Sequence, residues 1–339
     1  MTPDRFQTIT GKYPALRIAL VGDFCLDRYL EIDPARAEIS IETQLPVHNV
    51  VRVRTQPGAA GTILNNLVAL GTGTIHPVGY CGEDGEGFEL KRELAAKAGV
   101  VLGRFLQTNE RRTFTYCKPL VMEPGQPPRE LNRLDSKNWS ATPATVEEVL
   151  IQSLRELAPQ VDAVILLDQV DLADTGVVTQ RLLGEVGEVA RRFPQLLIMA
   201  DSRRGLRGFP PVIFKMNAAE LAALTGTSPS TDLETIRRTA LALARENGRA
   251  VFITLSERGM LGALPTGETE HVPSLPLRGP IDIVGAGDSV TANLTMALAV
   301  GAGLREALEL ANTAASIVVH QLGTTGTASV AGLRGLLAR

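Results

Sequence analysis

The run Asp282-Ile-Val-Gly-Ala-Gly-Asp288, followed by Ser-Val-Thr-Ala-Asn, sets a short glycine turn at the head of an apolar helix, with a carboxylate at the junction. The N–H groups of Gly285, Ala286 and Gly287 lie before any helical carbonyl that would pair them. All three are expected to be free to face an anion. Asp288, in the same turn, can accept a proton. An anion cradle beside a proton acceptor is what transfer of a phosphoryl group to a hydroxyl requires. The same residues also satisfy a plainer description: a turn capping a helix, with Asp288 favoured by the positive helix end.

Four further constellations accompany it. Val21-Gly-Asp-Phe-Cys-Leu-Asp27-Arg-Tyr29 sets two carboxylates after an apolar strand, where open α/β sheets bind ligands; a polar loop with Asp23 capping a turn is the alternative. Gln56-Pro-Gly-Ala-Ala-Gly-Thr-Ile-Leu-Asn-Asn66 reads as a helix start with small residues for close packing. Met216-Asn-Ala-Ala-Glu220-Leu has the spacing of a capping box and sets Asn217 and Glu220 on one helix face. Thr254-Leu-Ser-Glu-Arg-Gly259-Met follows a strand and on its own is a hairpin turn. Gly79 to Gly87 reads as a structural turn before a helix, without the spaced oxygen ligands of a calcium loop. The chain has no GxxxxGK[ST] loop, so phosphate binding has to come from another glycine turn.

Taken in order along the chain, these motifs resemble the ribokinase-like carbohydrate kinases, the PfkB family. Its late signature is an Asp, two variable residues and Gly-Ala-Gly-Asp. The resemblance implies Asp288 as catalytic base, with Gly285, Ala286 and Gly287 as the anion hole. It implies Asp27 as a ligand of sugar hydroxyls, which suits a carboxylate that can accept bonds from a diol. Gly58 and Thr62 fall in the family's sugar-binding loop, where Ala59 replaces a second glycine and Thr62 an asparagine. Asn217 and Glu220 match a pair near magnesium and phosphates, with Glu220 acting on the metal through water. Thr254, Gly259 and Asn312 match the nucleotide loop and the helix beside the adenine pocket. Val284 stands where threonine is common, near a cation contact.

The implied cofactors are ATP and Mg2+, with a monovalent cation as a further candidate. The string Gly-Asp-x-x-x-Asp-Arg-Tyr and the segment Arg133-Leu-Asp135 are similar to heptose 7-phosphate kinases. Leu167-Asp-Gln-Val-Asp171-Leu departs from their lysine-bearing string. Alternatives are a kinase of another sugar, a sugar acid or a nucleoside, or a non-catalytic sugar-binding relative. No nucleotidyltransferase sequence follows, so kinase activity alone is expected. Arg112, Lys118, Arg203 and Arg204 read as solvated surface charges and, for a phosphorylated substrate, as candidates to hold its phosphate.

The elements that must position these residues follow from apolar periodicity. Strands are expected at Ile18–Val21, Pro46–Arg54, Thr113–Leu120, Val161–Leu167, Leu196–Ala200, Val212–Lys215 and Ala250–Leu255. Helices are expected at Gly58–Leu70, Glu83–Ala98, 144–158, about 174–192, Asn217–Thr225, 231–247, Gly285–Val300 and Leu304–Gln321. Strands alternating with helices predict a three-layer α/β/α fold with a mainly parallel central sheet. Segments 28–56 and 105–135 break that rhythm and are expected to form a small β lid inserted in a single domain, 1–339. Lid strands in this family often make dimer contacts, so a homodimer through the lid is a further expectation.

Composition narrows the partners. Of 339 residues, 44% are apolar and the net charge is −3, which gives no basic excess for nucleic acid or an anionic membrane surface. A small-molecule sugar or sugar phosphate is the expected partner. Three scattered cysteines form no CxxC pair, and four scattered histidines have no zinc spacing. The first apolar run is too short for a signal peptide, and none approaches the ~18 residues of a membrane span. The expected location is cytoplasmic.

Overall fold

A computed structural model of the chain describes residues 1–337. Its strands are β1 (Arg17–Gly22), β2 (Phe24–Ile32), β3 (Glu38–Ile39), β4 (Pro46–Val47), β5 (Val50–Ala59), β6 (Thr74–Gly82), β7 (Phe105–Thr108) and β8 (Phe114–Val121). They continue with β9 (Arg129–Glu130), β10 (Leu134–Ser136), β11 (Ala163–Asp168), β12 (Leu197–Ser202), β13 (Ile213–Asn217), β14 (Val251–Thr254), β15 (Met260–Ala263) and β16 (Thr269–Val272). The helices are α1 (Pro3–Thr10), α2 (Ala60–Ala69), α3 (Gly85–Ala95), α4 (Ala144–Leu157), α5 (Gln180–Arg192), α6 (Ala218–Thr225), α7 (Leu233–Asn247), α8 (Ala286–Ala299), α9 (Leu304–Val318) and α10 (Val330–Leu337).

A nine-stranded sheet runs β16-β15-β14-β13-β12-β11-β1-β6-β7. It is parallel from β7 to β14, and β15 and β16 add an antiparallel edge. The central strands are apolar along their length because both faces are covered. All six residues of β11 are buried, as are all of β1 after Arg17. Alternation along β1 divides the core. Ile18 and Leu20 point into one cluster with α1, α2, α3, α8, α9 and α10, while Ala19 and Val21 point into another with α4 to α7.

A five-stranded second sheet, β10-β8-β2-β5 with β9 on β8, forms the lid. It begins at Phe24 and ends at Ser136, wider than the expected segments. Phe105–Thr108 is not part of it: β7 pairs in parallel with β6 on the main sheet. The expected strand Pro46–Arg54 is two pieces, a short β4 and a long β5, and β5 carries on through Pro57–Ala59 where a helix start was expected. The expected helix from about 174 begins at Gln180, capped by Thr179. The residues before it are held as a loop, because the buried Asp23 carboxylate accepts from the N–H groups of Gln169 (2.8 Å) and Val177 (2.7 Å). Burial, then Asp168, pushes the Asp23 carboxyl up to about 7. Asp84, in the Gly79–Gly87 run, caps α3 and also binds Thr113 at the foot of β8. Among the described residues no helix is long and apolar enough to cross a membrane.

Candidate active site

The candidate site lies beyond the carboxyl ends of the parallel strands, where the turn into α8 meets the residues of the lid side and where open α/β folds bind ligands. Its floor is the turn into α8. Gly285 takes φ +82°, ψ −3°, a left-handed conformation that glycine accepts without strain. The turn is tied at its start by Asp282, whose side chain accepts from Val284 N–H at 3.0 Å and whose own N–H donates to Val319 O at 2.8 Å. One expectation fails here. Ala286 N–H is not free, since the left-handed bend at Gly285 brings it to the Ile283 carbonyl at 3.2 Å. The N–H groups of Gly285, Gly287 and Asp288 make no hydrogen bond to a described residue. The open donors at this helix start are therefore Gly287 and Asp288, with Gly285 before them.

Asp288 is half-buried. Burial, then the neighbouring Asp201 and, more weakly, Asp27, push its carboxyl up to about 7, against the opposing pull of Lys215. Lys215 extends from β13 to this turn, its ammonium 3.1 Å from where a Cβ on Gly287 would stand. It pairs with Asp201 of β12 at 2.6 Å, and Thr291 Oγ1 donates to the same Asp201 oxygen at 3.0 Å. Burial works to lower the Lys215 ammonium, but Asp201, Asp288 and Glu220 outweigh it and hold it above its usual range. Glycine at 287 is what lets a cation stand this close to the helix start.

The lid supplies the opposite wall. Asp27 lies mid-strand on β2, opposite Gln56 on β5 and Tyr116 on β8. A Cβ at Gly58 would fall 2.6 Å from Asp27 Oδ2 and 2.7 Å from Cys25 Sγ, so only glycine admits this carboxylate. Ala59 holds φ +54°, ψ −118°, a region that favours glycine. Thr62, buried at the start of α2, sets its methyl 3.4 Å from where a Cβ on Gly285 would stand, so the lid-side loop and the α8 turn touch. Lys118 is not the solvated charge expected from sequence. Its side chain is 15% exposed, with Nζ 3.2 Å from Asp27 Oδ1 and 3.5 Å from Tyr29 OH, because β8 runs parallel to β2 and brings the two side chains together. Arg204 is likewise engaged, with the buried Asp168 at 2.7 Å, and Arg203 pairs with Asp171 at 3.1 Å; Arg112 stays exposed.

On the other side of the α8 turn is a cavity of about 350 Å³. Thr254, Gly259, Leu277, Ile283, Gly287 and Asn312 are among the residues that line it. Thr254 ends β14 and Gly259 immediately precedes β15, so the segment between them is a hairpin turn that also forms a cavity wall. Gly259, at φ +87°, could carry no side chain, because a Cβ would stand 2.0 Å from Val272 O. Asn312 donates to Pro273 O at 2.7 Å and so fixes that wall. Asn217 and Glu220 form the capping box of α6: Asn217 Oδ1 accepts from Glu220 N–H at 2.9 Å and Glu220 Oε2 from Asn217 N–H at 2.7 Å. Burial, then Asp201, raises the Glu220 carboxyl against Asn217 and Lys215.

Among the described residues no group of three or more His, Cys, Asp or Glu side chains is arranged to hold a metal ion. Mg2+ arriving with nucleotide phosphates does not need one, since it keeps several waters and takes one or two carboxylates. Glu220, a carboxylate beside Asp201 and Lys215, fits that mode.

The sequence motifs therefore converge from five separate stretches of chain. Sequence reasoning missed Lys215, Asp201 and Thr291. The available signal was a lysine inside an otherwise apolar strand, two residues before Asn217.

The nine-stranded sheet, its helical layers and the separate lid define a ribokinase-like fold. A model of the pfkB family of carbohydrate kinases matches residues 24–330, and the chain belongs to that family. The bifunctional protein HldE of Bradyrhizobium sp. (strain ORS 278) is 31% identical over 325 residues, covering 92% of this chain and 61% of that protein. HldE of Geobacter metallireducens is 33% identical over 311 residues, covering 90% and 60%. The chain spans about three fifths of the length of the curated relatives it matches. The crystal structure of phosphofructokinase-2 from Escherichia coli in complex with potassium superposes with a TM-score of 0.71 at 18% identity, covering 96% of this chain and 100% of that one. Arabidopsis thaliana ribokinase complexed with ribose and ATP gives 0.67 at 19%, covering 96% and 99%.

Proposed function

We propose that the chain is an ATP-dependent kinase of a sugar or sugar phosphate, with Asp288 as general base and heptose 7-phosphate as the leading acceptor. The observation that carries this reading is the position of Asp288. It stands in the first turn of α8 next to Gly287, against which the Lys215 ammonium is set, and burial and Asp201 raise its carboxyl to about 7. A base in that range is matched to neutral pH.

In this reading the acceptor O–H proton passes to Asp288 as its oxygen bonds to the γ-phosphorus. The bond from that phosphorus to the bridging oxygen breaks, and ADP leaves with the electron pair. Gly287 N–H, Asp288 N–H and the Lys215 ammonium face the charge that grows on the transferred group. Asp27 and Gly58 orient the acceptor diol, with Thr62 at the join. Thr254, Gly259 and Asn312 frame the nucleotide, with Asn217 beside them. Glu220 would hold Mg2+ through water, and the ion would supply charge neutralisation on the phosphates. A monovalent cation near Val284 is a further part of the proposal, as is one catalytic unit formed by core and lid in the cytoplasm.

The heptose assignment is supported by the HldE relatives and by a lid cation, Lys118, beside the diol ligand. A homodimer through the lid is supported by exposed Val50, Val51 and Val53 on β5, an edge strand of the lid sheet. An acceptor screen tests the function: ADP release measured with ATP and heptose 7-phosphate, other sugars, sugar acids and nucleosides. Highest kcat/KM on heptose 7-phosphate supports the reading. A better acceptor elsewhere replaces the substrate, and ADP release with none of them rejects the kinase.

A further inference from the structure

Gln56 stands opposite Asp27 across β2 and β5, on the same face of the lid sheet. Its amide nitrogen donates to Tyr29 OH at 3.2 Å and to Thr325 Oγ1 at 3.0 Å, and its carbonyl accepts from Thr324 Oγ1 at 3.4 Å. Both amide protons are engaged. Tyr29 OH in turn meets Lys118, which pairs with Asp27. One hydrogen-bonded chain therefore runs from Asp27 through Lys118, Tyr29 and Gln56 to Thr325, from the lid to the loop after α9.

The far end of that chain touches the catalytic turn. A Cβ on Gly285 would stand 2.5 Å from the Thr325 methyl, so Thr325 packs directly on the glycine that bends the turn. Thr325 is buried. Its loop is fastened from behind. Gln321 exchanges bonds with Thr327 N–H (3.0 Å) and Thr327 O (2.8 Å), and Asn66 accepts from Ala328 N–H at 3.2 Å. The other side-chain hydrogen bonds and ion pairs from β2 and β5 to the main body, among the described residues, go to α3: Arg28 to Glu86 and Glu89, and Thr55 to Glu93. Gln56 alone reaches the α8 side.

We propose that Gln56 is a positioning residue: by holding Thr325 against Gly285 it couples the acceptor wall of the lid to the shape of the phosphate-binding turn. The proposal rests on the kinase reading above, but its physical core is testable without it. Hydrogen exchange on the full chain without ligand compares wild type with Gln56→Ala, Gln56→Glu and Thr325→Val. Glutamate keeps the length and the acceptor but cannot donate, and valine keeps the methyl on Gly285.

The expected result is exchange about tenfold faster in peptides covering 283–289 and 321–328. Peptides from α4 to α7 stay unchanged and report intact folding. With an acceptor, each single variant should lower kcat about tenfold with little change in KM for ATP. Gln56→Ala combined with Thr325→Val should be no slower than the worse single, because both break one contact. Unchanged exchange at 283–289, or single effects that multiply in the double variant, overturns the proposal. A wild type that phosphorylates nothing while its turn still loosens in Gln56→Ala rejects the kinase reading and leaves the coupling standing.

Discussion

Lys215 and Asp201 form a 2.6 Å ion pair across neighbouring strands, with the lysine ammonium set against Gly287 at the head of α8. Asp201 is itself held by Thr291 from within α8, so strand ends and helix are fixed as one unit around the cation. A buried pair of this kind is weak evidence for stability, since desolvation offsets most of the attraction. A charge held in place for a ligand accounts for it better. Lys215→Met should lower kcat by about 10²–10³-fold, the size seen when one donor to a developing charge is removed. Steady-state kinetics checks this, and a kcat within twofold of wild type contradicts it.

The raised carboxyl of Asp288 sets the pH dependence. Only the ionised base can take a proton, so kcat/KM should climb with pH along a limb centred near 7, the value to which burial and Asp201 push it. Lys215 opposes that shift. Removing it should therefore move the limb to higher pH. A profile of kcat/KM from pH 5 to 9 for wild type and Lys215→Met reads both effects. A limb below pH 5, or one that moves down in the variant, is inconsistent with the assignment.

Ala59 sits where the backbone favours glycine, at φ +54°. Strain of this type costs on the order of 1–3 kcal/mol. Against it stand one partly buried methyl, at most about 0.8 kcal/mol, and the extra chain entropy of glycine, about 0.5–1 kcal/mol. Ala59→Gly should then be neutral or stabilising, whereas Ala59→Val, β-branched at positive φ, should lower the melting temperature by several degrees. Thermal unfolding of the pair checks the ordering. If the valine variant melts with or above wild type, the strain is absent.

The exposed valines of β5 bear on assembly. Sedimentation of wild type should give a dimer, and Val51→Asp with Val53→Asp should give a monomer that still unfolds cooperatively, with a melting temperature no longer dependent on concentration. A wild-type monomer at micromolar concentration removes the lid interface from the account.

Much of this was legible in sequence. Asp282–Asp288, Asn217–Glu220 and the apolar runs of β1 and β11 are local signals: a turn, a cap and a strand buried on both faces each follow from a few neighbouring residues. Gly58 was visible as a glycine but not for its reason, the approach of Asp27 from another strand. What local pattern could not give was pairing across the fold. Lys118 looks solvated until β8 is laid parallel to β2, and Lys215 reads as a strand end until β12 and α8 surround it. The free amides were counted too generously, because a left-handed Gly285 folds Ile283 O back onto Ala286 N–H, a geometry fixed only in three dimensions. The segment before Gln180 looked helical because the claim of Asp23 on Val177 N–H is long-range.

The central claim is that Asp288 takes the acceptor proton. It is tested most directly by single-turnover transfer of the γ-phosphate from ATP to the best acceptor, comparing wild type with Asp288→Asn under saturating nucleotide. The account predicts a rate lower by about 10²–10⁴-fold with nucleotide binding retained. Transfer at the wild-type rate by the asparagine variant would contradict it.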